Sequence, residues 1–121
     1  MNNVSAQQLA AKTCVPCRGG IPPLTPEQAR RYLAAVPGWT LSPDATRISR
    51  AFTFKDFREA MAFVNRIAEI AEAEQHHPDI VIHWNKVELL LWTHSIGGLH
   101  ENDFVMAAKI DASAGAGQGG R

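Results

Sequence analysis

Residues 72–103, EAEQHHPDIVIHWNKVELLLWTHSIGGLHEND, determine both the fold and the chemistry of this chain. All five histidines of the chain lie in this stretch: His76, His77, His83, His94 and His100. Imidazole exchanges a proton near neutral pH more easily than any other side chain. A proline ends a predicted helix directly after the first two histidines, and His94 closes a predicted strand. Because helix ends and strand ends can aim side chains into one cleft, the pattern predicts a shared site.

The helix that leads into this stretch has the clearest period of the sequence. One predicted apolar stripe follows three- and four-residue spacing and comprises Phe57, Ala60, Met61, Val64, Ile67, Ala68 and Ala71. Pro78 lacks an amide hydrogen and pushes the preceding residue out of helical geometry, so the helix should end near Gln75. Glu72 then lies one helical turn before His76 on the same side of the helix.

Two alternating segments, 79–84 and 87–94, follow the helix and predict a hairpin with its turn at residues 85–86. In the second segment, alternation divides the side chains between two faces, which are Val87, Leu89, Leu91 and Thr93 on one and Glu88, Leu90, Trp92 and His94 on the other. If helices cover the first face, Leu90 and Trp92 form an apolar patch on the second. Such a patch marks an interface or a ligand surface, so we expect a homo-oligomer, with a dimer favoured over a tetramer.

The first half of the chain predicts a similar helix and hairpin. A helix begins at Thr25-Pro26-Glu27-Gln28, where threonine can cap and glutamine can complete a capping box. Segments 39–41 and 48–54 then predict two strands. Arg50 interrupts the apolar face of the second strand, which predicts an edge position or a bulge. A last helix is expected over residues 102–111.

These elements predict an α+β fold. Strands that occur in hairpins are antiparallel, and helices on one face can bury the apolar stripes. We expect a four-stranded antiparallel sheet with three helices on one face, in the order α-β-β-α-β-β-α. Residues 25–111 would form a single domain, preceded by a flexible arm over residues 1–24. An Ala/Gly-rich tail over residues 112–121 is expected to be disordered.

Composition limits the classes of function. The chain has 121 residues with 12 basic and 12 acidic side chains, so its formal charge is zero. That balance argues against direct nucleic-acid binding, which needs a basic face. No apolar run approaches the length of a membrane span, and the first residues do not have the pattern of a secretory signal. We therefore expect a cytoplasmic protein without a membrane partner.

The two cysteines, Cys14 and Cys17, form an isolated CxxC pair. A second pair that would complete four zinc ligands is missing from the sequence, and the flanking residues do not have the strand-then-helix pattern of a thioredoxin-like motif. The simplest interpretation is that the pair has no catalytic role. A metal held jointly with another subunit is the alternative.

The histidines admit two specific interpretations. His76, His77 and His94, with Glu72 and Asp103 near them, suit a proton-transfer site. The same histidines could instead bind a metal. Adjacent histidines point in divergent directions and the sequence contains no HxH or HxxxH pair, so proton transfer is favoured. For His83 and His100 (the fifth histidine) we expect ordinary surface or core positions.

At this point the sequence resembles the pterin-4a-carbinolamine dehydratase family. The resemblance extends over about residues 14–111 and rests on motifs at the spacing of that family: Glu72-x-x-x-His76-His77-Pro78, Trp84, Asn85-Lys86-Val87, Thr93-His94, Gly97-Gly98-Leu99 and Asp103. Upstream motifs agree as well: Phe52-x-Phe54-x-x-Phe57, Pro37-Gly38-Trp39 and the Cys14-x-x-Cys17-Arg18-Gly19-Gly20 of bacterial-type members.

The resemblance implies dehydration of a 4a-hydroxytetrahydropterin to the quinonoid dihydropterin, which recycles the pterin of aromatic amino acid hydroxylases. It implies that His76 and His94 are the acid/base pair and that His77 orients the pterin, with no redox cofactor and no metal. By the same resemblance, Glu72 and Asp103 would bind the polar ring or tune the imidazoles.

A flat heteroaromatic ring also needs apolar walls, for which Trp39 and Trp84 are candidates. An aromatic amino acid hydroxylase is a possible protein partner. The alternative function, also implied by the resemblance, is that of a non-catalytic protein-binding protein. Family members serve as dimerisation cofactors of a transcription factor or as assembly factors. An intact set of histidines favours the enzyme.

Overall fold

The computed structural model describes residues 5–15 and 20–118. Its helices and strands, in chain order, are α1 (Ala6–Ala11), α2 (Pro26–Leu33), β1 (Thr40–Leu41), β2 (Ile48–Thr53), α3 (Phe57–Glu74), β3 (Asp79–His83), β4 (Lys86–Leu91) and α4 (Glu101–Gln118). A 3₁₀ turn at His94–Ile96 lies between β4 and α4. The four strands form one antiparallel sheet in the order β1-β2-β4-β3. The predicted α+β class, sheet and element order are confirmed, with α1 as an additional helix.

The core lies between the inner face of the sheet and helices α3 and α4. Val87, Leu89 and Leu91 of β4 are fully buried on that face, as the alternation predicted. The Phe63 ring of α3 lies 4.8 Å from the ring of Phe52 on β2, centroid to centroid. Each large apolar side chain buried in this way contributes roughly 1.5–3 kcal/mol. The sheet is therefore a rigid base for the loops at its edges.

The buried stripe of α3 differs from the predicted one at five positions. The fully or almost fully buried side chains of α3 are Ala60, Phe63, Ile67 and Ala71. Phe63 was missed, whereas Phe57 is half exposed, Ala68 is exposed, and Met61 and Val64 are only partly buried. Phe57 is the first residue of the helix, where a side chain can extend past the end of the core.

The predicted boundaries of α3 are confirmed at its C-terminal end. The helix ends at Glu74, and Gln75 takes a left-handed conformation with a φ of 54°. The carbonyl of Ala71 accepts the backbone N–H of His76 at 3.2 Å, which closes the last turn. Pro78 enforces this stop because its ring excludes further helical geometry. The two histidines before the proline therefore leave the helix axis.

Arg50 lies in the middle of β2 without a bulge. The register between β2 and β4 is continuous from Ile48 to Thr53, so of the two predicted alternatives the bulge is absent and the edge position holds. β1 pairs only with Ile48 and Ser49, so beyond them β2 has a strand neighbour on one side only among the described residues. The Arg50 guanidinium donates to Asp111 Oδ1 of α4 at 2.9 Å, which compensates the charge on the core-facing side. Burial raises the pKa of Asp111 despite this partner.

Residues 1–24 were expected to form a flexible arm, and this is wrong for Ala6–Ala11. Ser5 and Gln8 form a reciprocal capping box at the start of α1. Leu9 is fully buried, and Lys109 of α4 donates to the carbonyl of Ala10 at 2.8 Å. The sequence pattern missed α1 because a helix with one buried residue has no apolar period.

Helix α4 is longer than predicted at its C-terminal end. It continues to Gln118 instead of ending at residue 111, and Ala114 is buried. The expected disorder from residue 112 is therefore wrong as far as Gln118, and residues 119–121 lie outside the described residues. Alanine has the highest helix propensity, which favours continuation once the helix has started. None of the described helices is both long and apolar enough to cross a membrane.

Candidate active site

A cavity of about 620 Å³ opens where the end of α3 meets the end of β4. This volume lies within the range of small-molecule sites. The residues that line it are Cys14, Val15, Ala73, Glu74, Gln75, His76, His77, Trp92, Thr93, His94, Ser95 and Asn102. The three histidines of the predicted acid/base set thus lie in one cavity. Glu72 and Asp103 lie behind them as hydrogen-bond partners.

His76 is held by a buried carboxylate. Its Nε2 lies 2.6 Å from Asp103 Oδ1, and the Asp103 side chain is fully buried. A carboxylate only accepts hydrogen bonds, so the Nε2 of His76 carries the proton in this pair. The other ring nitrogen, Nδ1, is left with a lone pair when the imidazole is neutral. This arrangement fixes one tautomer and makes His76 competent to accept a proton.

The second oxygen of Asp103 is also occupied. Oδ2 accepts from the hydroxyl of Thr93 at 2.8 Å and from the backbone N–H of His100 at 3.0 Å. These contacts orient the carboxylate in the first turn of α4, where the helix dipole favours a negative charge. Asp103 therefore supports His76 and does not line the cavity. Of the two roles considered for it, the geometry favours that of tuning an imidazole.

His77 has a partner of a different kind. Its Nε2 lies 2.6 Å from Glu72 Oε2, and both side chains are more than half exposed. Exposed ion pairs of this type contribute little to stability, because water screens them and two side chains must be ordered. Because the His77 side chain is exposed and lines the cavity, a ligand that enters the cavity can contact it.

His94 lies beyond β4 and begins a 3₁₀ turn. β4 ends at Leu91, three residues earlier than the predicted strand. A bridge between Thr93 and Gly98 closes the following loop, with the N–H of Thr93 donating to the Gly98 carbonyl at 2.8 Å. Gly97 has a φ of 67°, a conformation that glycine adopts without strain. The loop holds the exposed His94 at the mouth of the cavity.

Trp92 is a wall of the cavity that sequence reasoning missed as a site residue. Its ring lies 3.9 Å from the His94 ring, centroid to centroid, and the rings meet edge-on at 65°. The Arg47 guanidinium carbon lies 4.8 Å from the centre of the indole. The indole Nε1 is buried and has no hydrogen-bond partner among the described residues. Alternation in the predicted strand over residues 87–94 placed Trp92 and His94 on one face, and this was the sequence signal that could have identified Trp92 as a site residue.

The two tryptophans expected as walls are not among the lining residues. Trp39 is buried, and its indole N–H donates to Asp111 Oδ1 at 2.9 Å, so it belongs to the core. Trp84 is 66% exposed and lies in the hairpin turn with a φ of 50°. The turn is one residue earlier than predicted, since His83 pairs with Lys86. His83 is exposed and His100 is half-buried at the start of α4.

Cys14 lies at the edge of the same cavity. Burial, followed by the charge of Glu74, raises the pKa of the Cys14 thiol to about 12, so the thiol is neutral at physiological pH. A nucleophilic thiolate is therefore disfavoured there. The other cysteine of the predicted pair, Cys17, lies outside the described residues. Within the described part of the chain, no group of three His, Cys, Asp or Glu side chains could hold a metal ion.

Comparison with known proteins identifies a family to which the chain is similar. The sequence model described as "Pterin 4 alpha carbinolamine dehydratase" matches residues 22–113. The chain is 53% identical over 104 residues to a protein of Halorhodospira halophila named "Putative pterin-4-alpha-carbinolamine dehydratase", with 86% of this chain and 95% of the relative covered. A relative of Methylococcus capsulatus with the same name is 51% identical over 111 residues, which cover 92% of this chain and 97% of the relative.

Two solved structures are similar. A transcriptional coactivator/pterin dehydratase from Brucella melitensis shares 39% identity at a TM-score of 0.73, with 77% of this chain and 99% of that one covered. A pterin dehydratase-like protein, identified as a RuBisCO assembly factor in the alpha-carboxysome, shares 24% identity at a TM-score of 0.57 over 64% of this chain and 90% of its own. The second likeness concerns the fold alone. With its motifs, fold and family match together, the chain belongs to the pterin 4 alpha carbinolamine dehydratase family.

Proposed function

We propose that this protein dehydrates a 4a-hydroxytetrahydropterin to the quinonoid dihydropterin. In this reaction the C4a–O bond breaks, the N5 proton is removed, and a C4a–N5 double bond forms as water leaves. The chemistry needs one group that protonates the departing hydroxyl and another that accepts the N5 proton. Two imidazoles in one cavity supply both functions near neutral pH.

The observation that carries this proposal is the contact between His76 and the buried Asp103. Because the carboxylate holds Nε2–H, the Nδ1 of His76 is the nitrogen that can accept a proton from N5. The carboxylate also stabilises the imidazolium that results. The buried carboxylate holds the imidazole in one tautomer, which proton transfer needs and binding alone does not. We therefore assign the role of base to His76.

His94 is the complementary acid in this proposal. It lies at the mouth of the cavity, and the Trp92 ring restrains it on one side. A protonated His94 would deliver its proton to the 4a-hydroxyl and become neutral, while His76 takes the N5 proton. Transfer of a proton from His76 to His94 through water would then return both imidazoles to their initial state. The Trp92 indole supplies an apolar wall for the flat pterin ring. His77, with Glu72, would contact the polar part of the ring and orient it.

The direct test is a dehydratase assay of the wild-type protein with synthetic 4a-hydroxytetrahydropterin. We expect acceleration of quinonoid dihydropterin formation over the spontaneous reaction, followed by absorbance. Elimination of water from a carbinolamine needs proton transfer and no Lewis acid, so turnover should survive exhaustive chelation. Absence of any acceleration would refute the proposal and favour the binding-protein alternative. Loss of turnover with chelator that zinc restores would refute the acid/base assignment alone.

A further inference from the structure

One wall of the cavity comes from residues that precede the segment matched by the family model. The match begins at residue 22, yet Cys14 and Val15 line the cavity together with the histidines. Val15 is 53% exposed, so its side chain is accessible to a ligand. We call residues 12–15 the strap.

The strap is fixed to α4 by a two-point contact. The side chain of Asn102 is buried in the first turn of α4. Its Oδ1 accepts the backbone N–H of Val15 at 3.0 Å, and its Nδ2 donates to the Val15 carbonyl at 2.7 Å. A side-chain amide that satisfies both backbone groups of one residue fixes the position and orientation of that residue.

A second anchor lies one residue earlier. The backbone N–H of Cys14 donates to Glu74 Oε1 at 2.7 Å. Lys109 lies 3.7 Å from the other oxygen of Glu74, and both of these side chains are mostly buried. The Cys14 thiol also lies 3.7 Å from the Asn102 carbonyl. Toward the cavity the strap thus presents the thiol of Cys14 and the apolar side chain of Val15, and its backbone is held at these two consecutive residues.

The strap and the proposed base are aligned by the same helical turn. Asn102 holds Val15, and the next residue, Asp103, holds His76. A pterin with its N5 at His76 carries the C6 substituent on the ring atom bonded to N5. The strap lines the same cavity as His76, so a C6 substituent that extends from the ring toward the strap would contact Val15.

We propose that the strap is a specificity wall for the C6 substituent of the pterin, and that Asn102 is its positioning residue. The inference rests on the proposed function and adds a determinant of substrate choice. It predicts an effect on KM that differs between pterins with different C6 groups. The chemistry at C4a and N5 is left to the histidines, so kcat should change little.

The experiment uses full-length protein and two carbinolamines, one with a 6-methyl group and one with a 6-dihydroxypropyl group. V15A should raise KM about three- to tenfold for at least one substrate, since two methyl-sized groups of contact are lost. It should also change the ratio of the two KM values, while kcat stays within about twofold of the wild-type value. The matched control is I21A, which removes a similarly exposed β-branched side chain outside the cavity lining and should change neither constant.

N102D tests the positioning role. It keeps the acceptor for the Val15 N–H but replaces the donor to the Val15 carbonyl with an oxygen. We expect KM to rise about tenfold for the loss of this contact, with kcat retained. If N102D fails to fold, V15A alone decides. Unchanged KM values for V15A, or a loss confined to kcat, would overturn the proposal.

Failure of the proposed dehydratase function can be distinguished from failure of the strap proposal. If the wild-type protein shows no turnover, the dehydratase proposal fails, and the strap is then tested with 7,8-dihydrobiopterin as an unreactive probe in a fluorescence titration. Weaker binding to V15A than to the wild type and I21A would support the strap as a pterin contact. Equal binding to all three would overturn it.

Discussion

Among single residues, Asp103 connects the fold to the proposed chemistry. Its two oxygens hold His76, the hydroxyl of Thr93 and the start of α4. D103N keeps the size of the side chain, but its amide nitrogen can donate to Nε2 of His76 and select the opposite tautomer. We expect kcat to fall about a hundredfold to ten-thousandfold, the range of general acid–base contributions.

The control for this change is D79N, which neutralises an exposed carboxylate on β3 and should leave kcat unchanged. Steady-state kinetics on both variants, with circular dichroism to verify folding, provides the measurement. A folded D103N protein with wild-type kcat would show that the tautomer of His76 is irrelevant to turnover.

At the same scale, the sequence predicted some site residues and missed others for a physical reason. His76, His77 and His94 could be placed together because a proline stop and a strand end are visible in sequence. Trp39 and Trp84 could not be judged, because a buried tryptophan and one in a turn look alike without tertiary contacts. Alternation placed Trp92 on the same predicted strand face as His94, but alternation alone does not show which apolar side chain lines a cavity.

Among the elements, α1 and its attachment to α4 depend on charge. Burial alone would raise the pKa of Glu101, but hydrogen bonds from Lys12 at 2.8 Å and Tyr32 at 3.0 Å outweigh it and lower the pKa of this carboxyl from its usual value. A carboxyl whose pKa is lower in the folded state stabilises the fold above its unfolded pKa. This contribution is lost as the pH falls through the folded pKa.

We therefore expect the wild type to have a higher Tm than E101Q at pH 7, with a difference that shrinks below about pH 4.5. Thermal melts of both proteins from pH 7 to pH 3 measure this, with the exposed-carboxylate variant E69Q as the control. A Tm difference between wild type and E101Q that stays constant over that range would contradict the assigned contacts.

The helices also show where the apolar period of the sequence is sufficient to predict an element and its ends. The period of α3 predicted its existence and its end, because a long amphipathic helix repeats its signal over several turns. α1 buries only one leucine, and the C-terminal end of α4 is rich in alanine. Neither segment has a repeating apolar pattern, so the sequence did not predict α1 or the end of α4. Arg50 suggested an edge position or a bulge because its partner, Asp111, is 61 residues away and no residue near Arg50 in sequence indicates it. Long-range pairs of this kind are not visible in local spacing.

At the scale of the whole molecule, the sheet has exposed apolar side chains along one edge. β3 is an edge strand in the order β1-β2-β4-β3, and Val81, Ile82 and Trp84 in and beside it are more than a third exposed. An edge strand with apolar side chains tends to pair with another chain. We expect a homo-oligomer, most simply a dimer.

Sedimentation velocity at micromolar concentration measures the assembly directly. We expect a species of at least twice the 13.2 kDa mass of one chain. V81D places a charge on the exposed edge strand and should shift the population toward the monomer. V15A, whose substituted residue lies outside the sheet, serves as a control with unchanged mass. A wild-type protein that sediments only as a monomer would contradict the expectation.

The central claim is that His76 and His94 are the acid/base pair of a dehydratase, and the kinetics of H76A, H94A and the double variant test it most directly. Each single substitution should lower kcat about a hundredfold to ten-thousandfold, and the double substitution should cost much more than either. H77A should act mainly on KM, because its proposed role is orientation. Circular dichroism should show all four variants folded, since none of these histidines belongs to the apolar core. A folded double variant with near-wild-type turnover of the 4a-hydroxytetrahydropterin would contradict the account.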